Sequence, residues 1–273
     1  MSSRYFTPPR PRLFGHRGFP ARFPENTLPS FAAALAAGLP YLELDVWASR
    51  DGHVVVHHDE TLYRMCGKWR RIRNLNWAEI KSCDTGRGFR DRDGRRPFLG
   101  QGIAVPSLEE VFEACPEAFI NIEIKQTDPP IEALVVETVR RWRREETVLL
   151  ASAHDRVIKR LRALCGAIPT GFSRGEIAAF LDWVKRGCRS GYAPPGAALQ
   201  VPVSHHGTPI VFPESVVAAH AVGIEIHVWT INDPSEMRRL LTMGVDGLMS
   251  DDAALLVATA RESVSPFGGG GIP

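Results

Sequence analysis

Short runs rich in branched and aromatic residues recur along this chain, separated by stretches with helical spacing. RLFGHRG (12–18) precedes a helix-like 27–37, YLELDVW (41–47) and HVVVHHD (53–59) follow, and AFINIEIK (118–125) precedes a helix at 131–144. TVLLASA (147–153), IPTGFS (168–173), ALQVPVS (198–204), IEIHVWTIND (224–233) and VDGLMSDD (245–252) continue the alternation, each before a further helical stretch. Strands alternating with helices imply βαβ units and a parallel sheet. With 273 residues the chain has room for one closed (β/α)8 TIM barrel, whose usual length is about 250.

Nine strand-like runs compete for eight barrel places, so one must extend another. The excess lies in 41–59, where two runs meet across Asp51-Gly52, a hairpin signal and not a helical crossover. If Asp51 and Gly52 form a two-residue loop, Arg50 faces His53 and Asp45 faces His58. Glu43, Asp45 and His58 then share one face, and His57 points away. Residues 60–106 break the rhythm with a polar, arginine- and glycine-rich stretch that reads as a small insertion after this hairpin. One barrel domain over 1–273 is expected, ending in a flexible tail, FGGGGIP (267–273).

Hydrophobic residues at 44% and charged ones at 23% exclude a mostly disordered chain. A net charge of +2 gives no case for nucleic-acid binding. The basic runs KWRRIR (68–73) and RRWRR (140–144) read as solvated surface. Five cysteines without a CxxC pair suggest neither a disulfide framework nor a zinc site, and fit a reducing cytoplasm. The N-terminus lacks the apolar core of a secretion signal, and no 18-residue apolar run occurs. A cytoplasmic, soluble protein without a transmembrane segment is expected, alone or as a simple homo-oligomer.

Polar residues inside the strands mark the chemistry. In NIEIK, Asn121, Glu123 and Lys125 fall on one face while Ile122 and Ile124 fall on the other. Charges inside a barrel need a cation, a paired charge or a wet cleft. Glu43, Asp45 and Glu123 offer only hard oxygen ligands, which suits Mg2+ or Ca2+ better than zinc. The competing reading is a structural ion-pair network with Lys125 and Arg17. His16 and Arg17 end the first strand just before Gly18. If His58 shares their site, two neutral-range imidazoles can take one proton and give another, as phosphoester cleavage requires. Glu225, His227 and Trp229 share a face that is either an aromatic wall for a substrate or core, and His205 and His206 read as surface loop.

GHRGFPARFPENTLPSFAAALAAGLPYLELDVWASRDGHVVVHHDETLYR (15–64) carries HR, ENT, ExD, DG and HD motifs in order. With NIEIK and VWTIND downstream, it resembles the glycerophosphodiester phosphodiesterase family, a PLC-like phosphodiesterase barrel. The resemblance implies His16 and His58 as acid/base pair, Glu43, Asp45 and Glu123 around one divalent cation, and Arg17 and Lys125 on the phosphate. It implies support from Glu25 and Asn26, and Trp229 beside the substrate. The implied reaction is metal-dependent hydrolysis of small glycerophosphodiesters to sn-glycerol 3-phosphate and an alcohol. A lysophospholipase D or cyclising phospholipase-like activity on lipids is the alternative, and an inactive barrel binding phosphorylated ligands is a third. Met65 and Cys66 stand where the family often has Thr-Thr, and GLPY replaces Gly-Ala-Asp, departures that bear on substrate preference.

Overall fold

The computed structural model describes residues 3–264, so the tail expected at 267–273 lies outside the described residues. Its strands are β1 (Arg12–His16), β2 (Tyr41–Ala48), β3 (Val54–Val56), β4 (Phe119–Ile124), β5 (Val148–Ala151), β6 (Ala198–Val201), β7 (Ser204–His205), β8 (Thr208–Pro209), β9 (Glu225–Val228) and β10 (Gly247–Ser250). The helices are α1 (Leu28–Ala36), α2 (Tyr63–Cys66), α3 (Trp77–Lys81), α4 (Leu108–Ala114), α5 (Glu132–Arg141), α6 (Asp155–Cys165), α7 (Arg174–Lys185), α8 (Pro213–Ala221), α9 (Pro234–Met243) and α10 (Ala253–Val264).

Seven parallel strands run in the order β5-β4-β2-β1-β10-β9-β6. The gap between β5 and β6 is closed by 168–172: Gly171 N–H donates to Leu150 O at 3.0 Å and Phe172 N–H to Ala198 O at 3.1 Å. These parallel bridges supply the eighth stave and complete the (β/α)8 barrel. The extra strand-like run is β3, paired antiparallel to β2 as an extension. β7 and β8 form a separate small hairpin.

The hairpin register differs from the expected one. Val46 pairs with Val56 and Ala48 with Val54. Ser49 N–H donates to His53 O at 3.0 Å and Gly52 N–H to Ser49 O at 3.2 Å, so the loop has three residues, Arg50-Asp51-Gly52. Gly52 takes the left-handed conformation at φ 84° that closes such a loop. This one-residue slip brings His57, not His58, opposite Asp45, with His57 N–H donating to Asp45 O at 2.9 Å. The ladder ends at Val56, so side-chain alternation does not govern the two histidines. His57 is buried with Nε2 against Thr61 O at 3.2 Å, and His58 sits in the turn beyond.

Two layers follow from alternation along the staves. Leu42, Leu44, Val46, Ile120, Ile122 and Ile124 face outward into the main apolar core shared with the helices. Tyr41, Phe14, Leu149, Ala198 and Met249 form an inner cluster with Tyr5. There Arg12, 2% exposed, uses all five donors: two on Glu225 at 2.6 and 2.7 Å, and the others on Tyr41 Oη, Pro8 O and Phe6 O. Arg12 and Glu225 begin their strands, so this fully bonded pair seals the N-terminal end of the barrel. Chemistry is left to the other end.

Residues 60–106 are not structureless. Val55, Leu62, Met65, Cys66, Ile72, Leu75, Ile80, Cys83 and Val105 bury one another in a second core beside Trp47 and Trp77. Asn76 and Glu79 form a capping box that starts α3.

Candidate active site

The strand pattern fixes where the polar side chains meet. In the parallel ladder Glu43 lies beside His16 and Asn121, and Asp45 beside Glu123. Leu44 and Val46 point outward, so Glu43 and Asp45 face inward at successive depths. They are 4% and 1% exposed. Carboxylate oxygens of Glu43, Asp45 and Glu123 lie within 4.8 Å of one another, the one such acidic cluster among the described residues.

His16 ends β1, and the chain turns sharply behind it. Arg17 takes φ 56° and donates its N–H to Glu43 O at 3.0 Å and Glu43 Oε2 at 3.2 Å. Gly18 follows at φ 92°, where an added Cβ would lie 2.4 Å from Ser30 Oγ, so this turn admits only glycine. Asn26, also left-handed at φ 54°, donates its N–H to Arg17 O at 3.0 Å and its Nδ2 to Asp45 Oδ2 at 2.9 Å. The Arg17 guanidinium donates to Glu25 Oε1 at 3.0 Å, with Nε 3.3 Å from Asp45 Oδ2. Lys125, just past β4, reaches Asp45 Oδ1 at 3.0 Å and Glu123 Oε2 at 2.9 Å.

The imidazoles each have a carboxylate on Nδ1. His16 Nδ1 lies 2.7 Å from Asp251 Oδ1, and its Nε2 is 4.0 Å from Glu43 Oε2. His58 Nδ1 lies 2.7 Å from Asp59 Oδ1, and Trp47 Nε1 donates to His58 O at 3.1 Å. Arg64 ties Asp59 to Glu25, with contacts of 2.7 Å to each. His58 therefore connects to Arg17 through Asp59, Arg64 and Glu25, and its charge acts on Asp45.

Electrostatics separates the two inner carboxylates. Burial, then the charge of Asp45, pushes Glu43 well up from the ordinary carboxylate range. Burial would raise Asp45 too, but the charges of Lys125, Arg17 and His58 and the Asn26 bond hold it low. Burial alone would lower the His16 imidazole, and the Asp251 bond with the charge of Glu43 outweighs it and raises its pKa. Glu43 is thus a buried carboxylate whose nearest cationic side chain among its ion-pair contacts is the His16 imidazole, 4.0 Å away. Asn26 Oδ1 is buried without a donor. Together with the all-oxygen donor set, these features fit a hard divalent cation among the three carboxylates, beyond what Lys125 and Arg17 already neutralise.

Of the residues expected from sequence, His16, Arg17, Glu25, Asn26, Glu43, Asp45, Glu123 and Lys125 are joined by direct contacts, and His58 by the chain just traced. Trp229 stands 41% exposed at the C-terminal end of β9, so it is not core. The next residue, Thr230, brings Oγ1 to 3.5 Å from His16 Nδ1. Glu225 and His227 part from Trp229: they lie deep in the barrel, 2.9 Å from each other. Sequence reasoning missed Asp251. Its backbone N–H donates to Asn232 Oδ1 at 2.9 Å, and Asn232 Nδ2 donates to its Oδ2 at 2.7 Å. The available signal was the Ser-Asp-Asp at the end of the last strand.

Comparison with known proteins identifies the family and the fold. Residues 16–255 match the glycerophosphoryl diester phosphodiesterase family model. The chain is 30% identical over 249 residues to the glycerophosphodiester phosphodiesterase of Bacillus altitudinis, covering 88% of this chain and 94% of that one. It is 27% identical to the lysophospholipase D GDPD1 of Mus musculus, covering 88% and 83%. Its fold is similar to the crystal structure of glycerophosphodiester phosphodiesterase from Agrobacterium tumefaciens, with TM-score 0.71, 26% identity and coverage of 90% and 99%. No helix among the described residues is long and apolar enough to cross a membrane. The chain belongs to the glycerophosphoryl diester phosphodiesterase family.

Proposed function

We propose that the protein hydrolyses glycerophosphodiesters to sn-glycerol 3-phosphate and an alcohol, with Glu43, Asp45 and Glu123 holding one divalent cation, Mg2+ or Ca2+. The observation that carries this reading is the meeting of three carboxylates, two fixed cations and the Asp251-backed His16 imidazole at the C-terminal mouth of one barrel, with the Asp59-backed His58 linked to Arg17 through Arg64 and Glu25. When bound, the cation supplies Lewis acidity toward a phosphoryl oxygen.

Arg17 and Lys125 bind the phosphate and offset the charge that grows on its oxygens, each such donor worth roughly 3 kcal/mol or about 100-fold in rate. Asp251 and Asp59 hold a proton on Nδ1 of His16 and His58, which leaves each Nε2 free to exchange one. One imidazole takes the proton of the attacking hydroxyl, from water or from the glycerol 2-hydroxyl, and the other protonates the departing alcohol; on the second route water then opens the resulting cyclic phosphate, with the two imidazoles exchanging roles, to give sn-glycerol 3-phosphate. Glu25 and Asn26 fix Arg17 and Asp45, and Trp229 flanks the bound glycerol.

A lysolipid substrate is the second reading, favoured by Trp69 and Leu99, which are 74% and 51% exposed on the insertion. The test is purified protein with Mg2+ or Ca2+ and a panel of glycerophosphocholine, glycerophosphoethanolamine and lysophosphatidylcholine. Release of sn-glycerol 3-phosphate from the first two is expected. Choline released only from the lysolipid would favour the second reading, and no cleavage of any of them would refute both.

A further inference from the structure

The insertion between β3 and α4 holds an aromatic pair in solvent. Tyr63 and Trp69 stack with ring centroids 4.0 Å apart and planes at 20°, and they are 47% and 74% exposed. The loop between them is pinned: Thr61 pairs with Arg71, Leu62 N–H donates to Arg70 O at 3.2 Å, and Ile72 N–H to Glu60 O at 3.0 Å. Gly67 makes the turn at φ 74°, where a Cβ would meet Arg87 Nε at 2.5 Å. Leu62, Met65, Cys66 and Ile72 fill the core beneath. The stack is therefore an outward platform on a firm base, and presenting it costs little further ordering.

Charge surrounds it. Residues 60–106 hold eleven Lys or Arg against five Asp or Glu in a chain of net +2, so the remainder is net acidic. Lys68, Arg70 and Arg71 flank Trp69 and are exposed. Arg71 contacts Glu60 at 3.5 Å, whereas Lys68 and Arg70 have no carboxylate partner among the described residues. The other basic run, expected from the sequence to be solvated surface, is so only in part: Arg141 and Arg143 are exposed, whereas Arg144 is buried on the carbonyls of Cys115 and Ala118, and Arg140 bonds Leu164 O. The platform also adjoins the mouth, because Arg64, next to Tyr63, bonds Asp59 and Glu25.

We propose that the Tyr63–Trp69 stack, with Lys68, Arg70 and Arg71, docks the protein on the surface of an anionic phospholipid bilayer, with the barrel mouth toward it. Tyrosine and tryptophan favour the membrane–water interface, and each Lys or Arg near an anionic surface strengthens association about five-fold. A nucleic acid would track an extended basic stripe. Here the excess positive charge is gathered in 60–106 around an exposed aromatic pair, which suits contact with a plane.

The test is co-sedimentation with vesicles of phosphatidylcholine alone or with added phosphatidylglycerol, beside hydrolysis of soluble glycerophosphocholine by the same preparations. Binding to the mixed vesicles that is lost in high salt is expected. Trp69→Ala should weaken it about five-fold or more. Lys68→Glu with Arg70→Glu should weaken it at least about 20-fold. Arg141→Glu with Arg143→Glu, at the sealed end, should leave it unchanged. Soluble hydrolysis should be the same in every variant, so failure to dock and failure of the catalytic reading are separable. No binding to mixed vesicles, or binding that both platform variants retain, would overturn the proposal. So would single-stranded DNA that displaces the vesicles and still binds Trp69→Ala.

Discussion

Asp251→Asn tests the least expected part of the site. His16 Nδ1 donates to Asp251 Oδ1 at 2.7 Å, and Asn232 Nδ2 donates to Oδ2 of the same carboxylate at 2.7 Å. The amide of Asn232 cannot flip freely, because its Oδ1 accepts from Asp251 N–H and the Ser250 hydroxyl at 2.9 and 3.0 Å. An asparagine at 251 has one oxygen for two donors, so its NH2 must oppose either His16 or Asn232. A hydrogen bond to a charged group is worth about 1.5–3 kcal/mol, and Asp251, with a side chain 34% exposed, belongs near the lower end. The expected fall in kcat/KM is about 10- to 30-fold, with fold and Tm nearly unchanged. Removing the carboxylate also leaves burial, which lowers the His16 pKa, as the main influence on it. The limb of the pH profile that reports His16 should therefore move to lower pH, and which limb moves assigns the acid and the base. Rates of glycerophosphocholine hydrolysis across pH, with imidazole NMR titration of His16, make the measurement. An unchanged rate, profile and His16 titration would refute the reasoning.

Glu225→Gln leaves the buried Arg12 without its charge and should cost about 3–5 kcal/mol, roughly 10 °C in Tm, by thermal unfolding. Burial would raise Glu225, but bonds from Arg12 and His227 outweigh it and hold its pKa down at about 2. Its contribution is then complete above the ordinary carboxylate value and lost as pH falls toward 2, so the wild-type advantage over Glu225→Gln should shrink across that window. A pH-independent difference would contradict it. Mg2+ or Ca2+ added to chelated protein should raise Tm, by about 2.7 kcal/mol of stability at 100-fold excess over Kd. Asp45→Asn should abolish the rise, and an equal rise in the variant would remove Asp45 from the ligand set. Phe112→Ala, in the outer layer, should cost about 3–5 kcal/mol yet leave kcat/KM per folded molecule unchanged, as denaturation and active-site-normalised rates would report.

Much of this site was legible because barrel staves alternate strictly. Glu43 and Asp45 between Leu42, Leu44 and Val46, and Glu123 between Ile122 and Ile124, can be placed inward from spacing alone. The hairpin register was not legible, because Asp51-Gly52 suits a two-residue and a three-residue loop equally, and Gly52 satisfies the left-handed position in both. His58 is placed by the turn after Val56 and its bond to Asp59, not by the pleat, and its charge still acts on Asp45. Asp251 was hidden by its neighbour: Asp252 accepts from Leu255 N–H at 3.0 Å, so the Asp-Asp pair reads as an ordinary helix start. Contacts between the first and last strands are what distinguish them. The order within 60–106 was equally hidden, since a core of scattered Leu, Ile, Met and Cys leaves no periodic trace among arginines and glycines.

The central claim is that one cation among Glu43, Asp45 and Glu123 works with the His16 and His58 imidazoles on a single phosphodiester. Release of sn-glycerol 3-phosphate from glycerophosphocholine tests it most directly, measured on wild type, His16→Ala and His58→Ala after exhaustive chelation and again after Mg2+ or Ca2+ is returned. No release by chelated wild type, recovery with the cation, and a loss of at least about 100-fold in both variants whatever the cation are expected. Undiminished release from the chelated enzyme, or from His58→Ala, would contradict it.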